Sequence, residues 1–276
     1  MDKLEINKQD GDLLKIAVLC GDSAQHAYLI EQLSQYFSIV GVVIETDNAQ
    51  MKKLWGKKRY RLWLYRHYHS IKRKWNGDAL ARRKFFQESN LSKASTEEIP
   101  TLMPECVNAP IVATTLREWQ ADIIISSGVM FIGKKVRNAS APIINLHTGV
   151  LPYYKGNQCI FFAMYNNEFD KIGTTLHLVT DKLDGGDVIS IAKPEVLAND
   201  NDEALYAKSA KSGISRLIEV LNVLNSQGQI ELSKQDDAGK MYSHMDRTPW
   251  VDMKYYFKKK FDINKSSLFN SAIRDN

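Results

Sequence analysis

An α/β fold, with a mostly parallel sheet covered by helices on both faces, is predicted by three features of the chain. Residues 14–44 run apolar strand, amphipathic helix, apolar strand, a βαβ unit whose crossover sets the two strands parallel. Two later stretches, the inner strand 122–126 and the apolar run 142–144 that ends a buried strand, have the character of strands inside a sheet. A helix from about 202 to 224 then closes the pattern with an apolar face. The chain has 276 residues, 44% hydrophobic and 25% charged, which is ordinary for a soluble globular protein with a sizeable core.

In chain order, residues 14–19 (LKIAVL) read as a buried strand and Cys20-Gly21-Asp22-Ser23 as a turn ending in a helix cap. Residues 24–37 follow as a helix and 39–44 as the next strand. The turn holds one glycine, so it is no G-x-G-x-x-G; the fold is read as Rossmann-like without a nicotinamide or flavin dinucleotide. Residues 51–86 then break the composition. Thirteen Lys and Arg stand against one acid, Asp78, a local charge of +12 that leaves −7 on the rest of a chain of net charge +5. The segment is longer than ordinary crossovers and reads as an insertion over 51–95. Its apolar stripe, Tyr60, Leu64, Tyr68, Ile71 and Trp75, has helical spacing. Three readings stay open: a helix packed on the domain by that stripe, a surface for an anionic membrane or a partner, and a nucleic-acid surface. Because apolar burial outweighs exposed charge, the spacing predicts that the stripe faces the protein while Arg66, Lys72 and Arg73 face solvent.

Residues 97–108, with Pro100 and Pro104, read as a connection, 113–119 as a short helix, and 122–126 (DIIIS) as an inner strand. The strand reaching 147 delivers Asn145 and His147 two residues apart, so both side chains leave the same face. Leu151-Pro152 ends that run, Gly156 opens a turn, and Ile160, Phe161, Met164 and Tyr165 recur at helical spacing. Residues 174–179 alternate like a strand and feed 181–187 (DKLDGGD), a loop with Asp184 at its tip and glycines that permit close backbone approach. Residues 190–194 extend the sheet. Residues 235–257, including WVDMKYYF, read as an added hairpin or strand pair, and 258–276 as a basic, then polar tail. The domain division is 14–226 for a catalytic domain and 227–276 for a small C-terminal extension.

Moving an acyl group to an amine passes through a tetrahedral oxyanion, which an amide and an imidazolium can stabilise, and the ammonium formed must lose a proton, which a carboxylate can accept. Asn145, His147 and Asp184 supply these groups. Read singly they are a turn cap, a core histidine and a solvated acid. A metal site of His147, His177 and Asp184 is a further reading, but no HExxH or cysteine cluster accompanies it, and no metal is predicted. Cys20, Cys106 and Cys159 are odd in number, far apart and without CxxC, which suits a reducing compartment; Cys159 reads as packing. No signal pattern opens the chain and no apolar run approaches the ~18 residues of a span, so a cytoplasmic protein is expected.

The N-x-H followed by x-x-x-L-P, a glycine four residues after that proline, and then a strand ending in D-x-G-D resemble the formyltransferase family that uses 10-formyltetrahydrofolate, over roughly residues 14–195. The resemblance implies that Asn145, His147 and Asp184 are catalytic. It implies a pterin pocket at Ser127, Gly128, Met130, Phe131 and Ile132, with Asp181, Leu183 and Gly185, and acceptor contacts at Gly21, Asp22, Ser23, Thr148, Gly149, Tyr154, Lys155 and Gly156. One departure is visible: Gly149 stands where many members have the serine of H-P-S-L-L-P, so that hydroxyl's contact is not carried over. The cosubstrate implied is 10-formyltetrahydrofolate. The acceptor expected is the amine of a nucleotide-linked amino deoxysugar of surface polysaccharide synthesis. The alternatives are an amino-acid side-chain amine or hydroxylamine of siderophore type, and methionyl-tRNA. Fifty residues follow Ser226 without a run of short alternating strands, so tRNA is not expected. A homodimer is compatible with this reading.

Overall fold

The computed structural model describes residues 2–6, 13–87, 99–236 and 238–262; the expectations for 88–98 and for the tail at 263–276 lie outside the described residues. The predicted βαβ unit is β2 (Lys15–Cys20), α1 (Ala24–Ser34) and β3 (Ser38–Ile44). β2 pairs in parallel with β3 and, on its other side, with β5 (Ile123–Ser127), which pairs in parallel with β6 (Ile143–His147). β8 (Thr174–Leu178) and β9 (Val188–Ala192) follow as antiparallel neighbours. The opposite edge is β4 (Thr101–Leu102), a two-residue strand too short to show in the sequence pattern. The seven-stranded order β4-β3-β2-β5-β6-β8-β9 reverses direction between β2 and β5. In open α/β sheets such a reversal opens a crevice at the carboxyl ends of the strands.

Alternation along β2 divides the core. Ile16, Val18 and Cys20 face α1 and α8 (Asp202–Gln227), whereas Ala17 and Leu19 face α5 (Pro110–Trp119) and the single turn α6 (Lys134–Arg137). The predicted apolar face of α8 is the one buried: Ile214, Leu217, Leu221 and Leu224 are at most 1% exposed. Each contributes about 1.5–3 kcal/mol on burial, more than the ~1 kcal/mol expected of the Asn201 cap, so packing rather than capping fixes this helix.

The C-terminal part departs from the expected hairpin. β1 (Asp2–Glu5) pairs with β10 (Gln229–Leu232) and places Leu4 and Ile230 in the first core, which ties residues ahead of 14 to those beyond 226. β11 (Lys240–Tyr242) pairs in parallel with β7 (Tyr154–Gly156), inside the segment that follows His147. The WVDMKYYF stretch is helical, in α9 (Pro249–Asp262), because proline suits a first helical position and Val251 and Tyr255, four apart, pack beside α7 (Cys159–Tyr165). Arg247, 6% exposed, clamps the unit through Asp202 at 2.5 Å, Asp252 at 2.8 Å and the Phe161 ring at 3.6 Å.

The insertion is helical as expected, in α2 (Asp47–Gly56), α3 (Tyr60–Trp75) and α4 (Asp78–Gln87), but α3 is turned the opposite way. Leu64, Ile71 and Trp75 are 59%, 55% and 88% exposed, and Tyr60 is exposed as well. Tyr68 alone of the stripe turns inward, its hydroxyl donating to Asp252 at 2.8 Å. Arg66 pairs with Asp47 and Lys72 with Asp252, both at 2.6 Å, and Arg73 is partly buried. Counter-charges on α2 and α9 therefore choose the docking side. A 3.6-residue period shows that a helix has an apolar face, not what covers it.

Candidate active site

Asn145 and His147 leave the same face of β6, and antiparallel pairing sets His177 opposite Asn145. The loop joining β8 to β9 folds back over them and brings in Asp184, 8% exposed. Asp184 sits at φ 50°, in the left-handed region that Asp and Asn tolerate better than most residues. Its Oδ2 accepts the Gly156 N–H at 2.7 Å and lies 3.6 Å from His147 Nδ1, while Oδ1 lies 3.7 Å from His177 Nε2. Gly156, at φ 84°, is required there: a Cβ would stand 2.2 Å from the Tyr242 carbonyl of β11.

The hydrogen bonds fix which atoms face a ligand. His147 Nε2–H donates to the Tyr154 carbonyl at 2.8 Å, which leaves Nδ1 toward the carboxylate. The Asn145 amide is held at both ends: the Ser126 hydroxyl donates to its Oδ1 at 2.9 Å, and its Nδ2 donates to His177 Nε2 at 3.1 Å. His177 can accept there because its Nδ1–H donates to the Leu178 carbonyl at 2.9 Å. Burial pushes the His177 imidazole down to about 4, against the pull of Asp184, so the ring is neutral near pH 7. One Asn145 N–H stays without a partner among the described residues. The cluster therefore presents an oriented amide donor, an imidazole Nδ1 and a buried carboxylate, the set that an oxyanion and a departing proton require.

Residues 14–221 match the family model described as Formyl transferase. The chain belongs to the formyl transferase family. A methionyl-tRNA formyltransferase of Lactococcus lactis is 27% identical over 185 residues, covering 65% of this chain and 55% of that protein; the chain spans about half the length of the curated relatives it matches. Glycinamide ribonucleotide transformylase 1 of Symbiobacterium toebii superposes with a TM-score of 0.56 at 16% identity, over 82% of this chain and 96% of that one. A sugar 3N-formyl transferase, WlaRD, solved in the presence of dTDP and 5-N-formyl-THF, gives 0.55 at 19%, over 86% and 72%. At these identities the two structures carry the fold, a mostly parallel sheet of the family's Rossmann-like form.

Among the residues expected at the acceptor, Gly149 has no room for the serine of the family motif. A Cβ would stand 2.6 Å from His147 Nε2 and 2.9 Å from the Tyr154 carbonyl, across the bond that orients His147. The Tyr154 ring is turned away into the third core, stacked with Tyr242 at 5.7 Å and donating its hydroxyl to Glu168, so only its carbonyl serves the site. Thr148 and Lys155 are partly buried beside it. Gly21 abuts the His26 ring, Asp22 accepts the Asp47 N–H at 3.3 Å, and Ser23 Oγ lies 3.0 Å from His26 Nδ1. Of the pterin-pocket residues, Ile132 is buried in the second core, which removes its side chain from a pocket, and Ser127 is buried at the end of β5. Gly128 is exposed at φ 70°, with its carbonyl accepting from Gln50. Phe131 and Leu183 present apolar side chains to solvent, as Asp181 presents its carboxylate, and Gly185 N–H closes a turn on the Lys182 carbonyl.

Sequence reasoning missed the groups that orient these loops. Glu45, fully buried, accepts from Met130 N–H at 2.7 Å and Val107 N–H at 2.9 Å; an acid placed directly after the apolar run 42–44 was its only signal. Ser126 carried none, and His177 stood out only as a candidate metal ligand, because strand register, which sets both against the Asn145 amide, is not written in spacing. Cys159 Sγ lies 3.6 Å from His147 Nε2, and burial pushes its thiol well above the ordinary range, so it packs as a neutral group. Among the described residues, no group of three His, Cys, Asp or Glu stands where it could hold a metal.

Proposed function

We propose that this protein transfers the formyl group of 10-formyltetrahydrofolate to the amine of a nucleotide-linked amino deoxysugar. The reading is carried by the convergence of Asn145, His147 and Asp184 on one buried point in a chain of this family. The amine attacks the formyl carbon and forms a C–N bond; the free Asn145 N–H and His147 meet the oxyanion. Asp184 takes the proton from the resulting ammonium, the bond from the formyl carbon to N10 breaks, and a proton passes to N10 of the departing tetrahydrofolate. The exposed rings and chains of Phe131 and Leu183 supply apolar surface suited to a pterin.

The acceptor reading is supported by cations brought by the insertion. Arg66 donates to Gln50 at 2.7 Å and thereby reaches the Gly128 loop through Gln50. Arg73 makes no hydrogen bond or ion pair with a described residue, and burial lowers its guanidinium. Burial first, then the guanidinium charges of Arg66 and Arg73, push His244 to about 3, and His244 lies 3.3 Å from Gln158, two residues beyond Gly156. A cation so placed suits the phosphates of a nucleotide. The sugar 3N-formyl transferase solved with dTDP agrees with this choice, while the relatives named methionyl-tRNA formyltransferases favour a second reading in which the same cations meet RNA. Initial rates with dTDP-linked amino sugars and with methionyl-tRNA separate the two. Formylated nucleotide sugar is expected, with Arg73→Gln raising its KM about tenfold and changing kcat little, as loss of one charge-assisted contact implies. Formylated methionyl-tRNA, with no nucleotide sugar accepted, would overturn the acceptor assignment.

A further inference from the structure

We propose that the outward face of the insertion seats this protein on the surface of an anionic lipid bilayer. The face combines two features that water alone does not explain. Tyr60, Leu64, Ile71 and Trp75 form one stripe along α3 and are all exposed, Trp75 at 88%, and Trp55 of α2 is exposed as well, its ring 4.9 Å from that of Tyr60. The same insertion carries eight exposed cations, Lys52, Lys57, Lys58, Arg59, Arg61, Lys74, Arg83 and Lys84, whereas Asp78, the one acid of residues 51–86, is partly buried. The adjoining helix α9, tied to α3 through Asp252, adds exposed Trp250, Met253, Tyr256 and Phe257.

Charge complementarity selects the occupant. A second copy docking by the same face would bring two sets of like cations together in a self-complementary contact, which is repulsive. A nucleic acid would satisfy the cations but leave Leu64 and Ile71 in water, since neither can stack on a base. An anionic bilayer meets both: headgroup phosphates take the Lys and Arg, and the apolar stripe enters the headgroup boundary, where Trp and Tyr are favoured. No described helix is long and apolar enough to cross a membrane, so the contact is interfacial. The ion pairs Arg66–Asp47 and Lys72–Asp252 hold α3 with its polar side inward, so the stripe is displayed without unfolding the insertion.

The test is co-sedimentation of the full chain with vesicles of phosphatidylcholine alone and of phosphatidylcholine with phosphatidylglycerol, at low and high salt. Binding is expected only with phosphatidylglycerol, and it should fall as salt rises. A Leu64→Ser, Ile71→Ser, Trp75→Ser variant should bind at least tenfold more weakly with an unchanged thermal melt. A Lys57→Glu, Lys58→Glu, Arg59→Glu variant should also lose binding, which keeps the test valid if the first variant folds poorly. Absence of binding to the anionic vesicles, or binding that neither variant weakens, would overturn the proposal. So would a stable dimer by analytical ultracentrifugation that the serine variant abolishes, or tighter retention of RNA than of vesicles.

Discussion

Asp184→Asn should lower kcat at least a hundredfold while leaving the melting temperature nearly unchanged. The substitution suits the site sterically: Asn tolerates φ 50° as Asp does, and its side-chain oxygen can still accept the Gly156 N–H that Asp184 Oδ2 holds at 2.7 Å. What is lost is the negative charge 3.6 Å from His147 Nδ1 and the capacity to take a proton from the attacking amine. Removing a group that acts chiefly in the transition state lowers kcat and kcat/KM together by ~10²–10⁴, so folate binding should persist. Steady-state rates with a binding titration of the folate check this. Turnover near that of the parent protein would show that another group accepts the proton.

Acidification should unfold the protein over a defined window, because four imidazoles, three of them buried and His244 partly buried, are held in neutral form. Burial pushes His26, His69 and His177 to about 4 and His244 to about 3, from 6.5 in an unfolded chain. The folded-state pKa is depressed in each case, so below pH 6.5 the unfolded chain binds protons that the folded one does not. Stability is therefore fully present above pH 6.5, falls as pH drops toward about 4, and levels off near 3. At ~1.4 kcal/mol per pKa unit each imidazole accounts for roughly 3–5 kcal/mol, so four together are comparable with the ~5–15 kcal/mol total stability of an ordinary domain. Thermal melts from pH 8 to pH 4 should show a steep decline, partly relieved by His69→Gln, and a flat profile would contradict these burials.

The parts of the fold that burial dictates were legible in the sequence. The βαβ unit, the strand carrying Asn145 and His147, and α8 each follow from a continuous apolar run or a helical period, and these are the elements that form the core. What failed did so where sequence period is silent. The stripe of α3 was given the wrong side because Asp47 and Asp252, the acids that dock it, lie on other elements. The WVDMKYYF segment has apolar residues at both two- and four-residue spacing, and its packing against α7 decided for the helix. In the site, Asn145, His147 and Asp184 stood out as residue types in order, whereas Ser126, and the role of His177 at the Asn145 amide rather than at a metal, became visible only once strand pairing placed them there. Gly149 is the instructive departure: the space beside His147 explains the missing serine.

The step that defines this constellation is the transfer of a formyl group to an amine. It is tested most directly by following the isotopically labelled formyl carbon of 10-formyltetrahydrofolate by NMR, in the presence of the protein and a dTDP-linked amino sugar. The label is expected to leave the folate and appear in a formamide on the sugar, with one tetrahydrofolate formed for each product and the transfer abolished in Asn145→Ala. Label that stays on the folate with every amine offered, or that appears only as free formate, would contradict it.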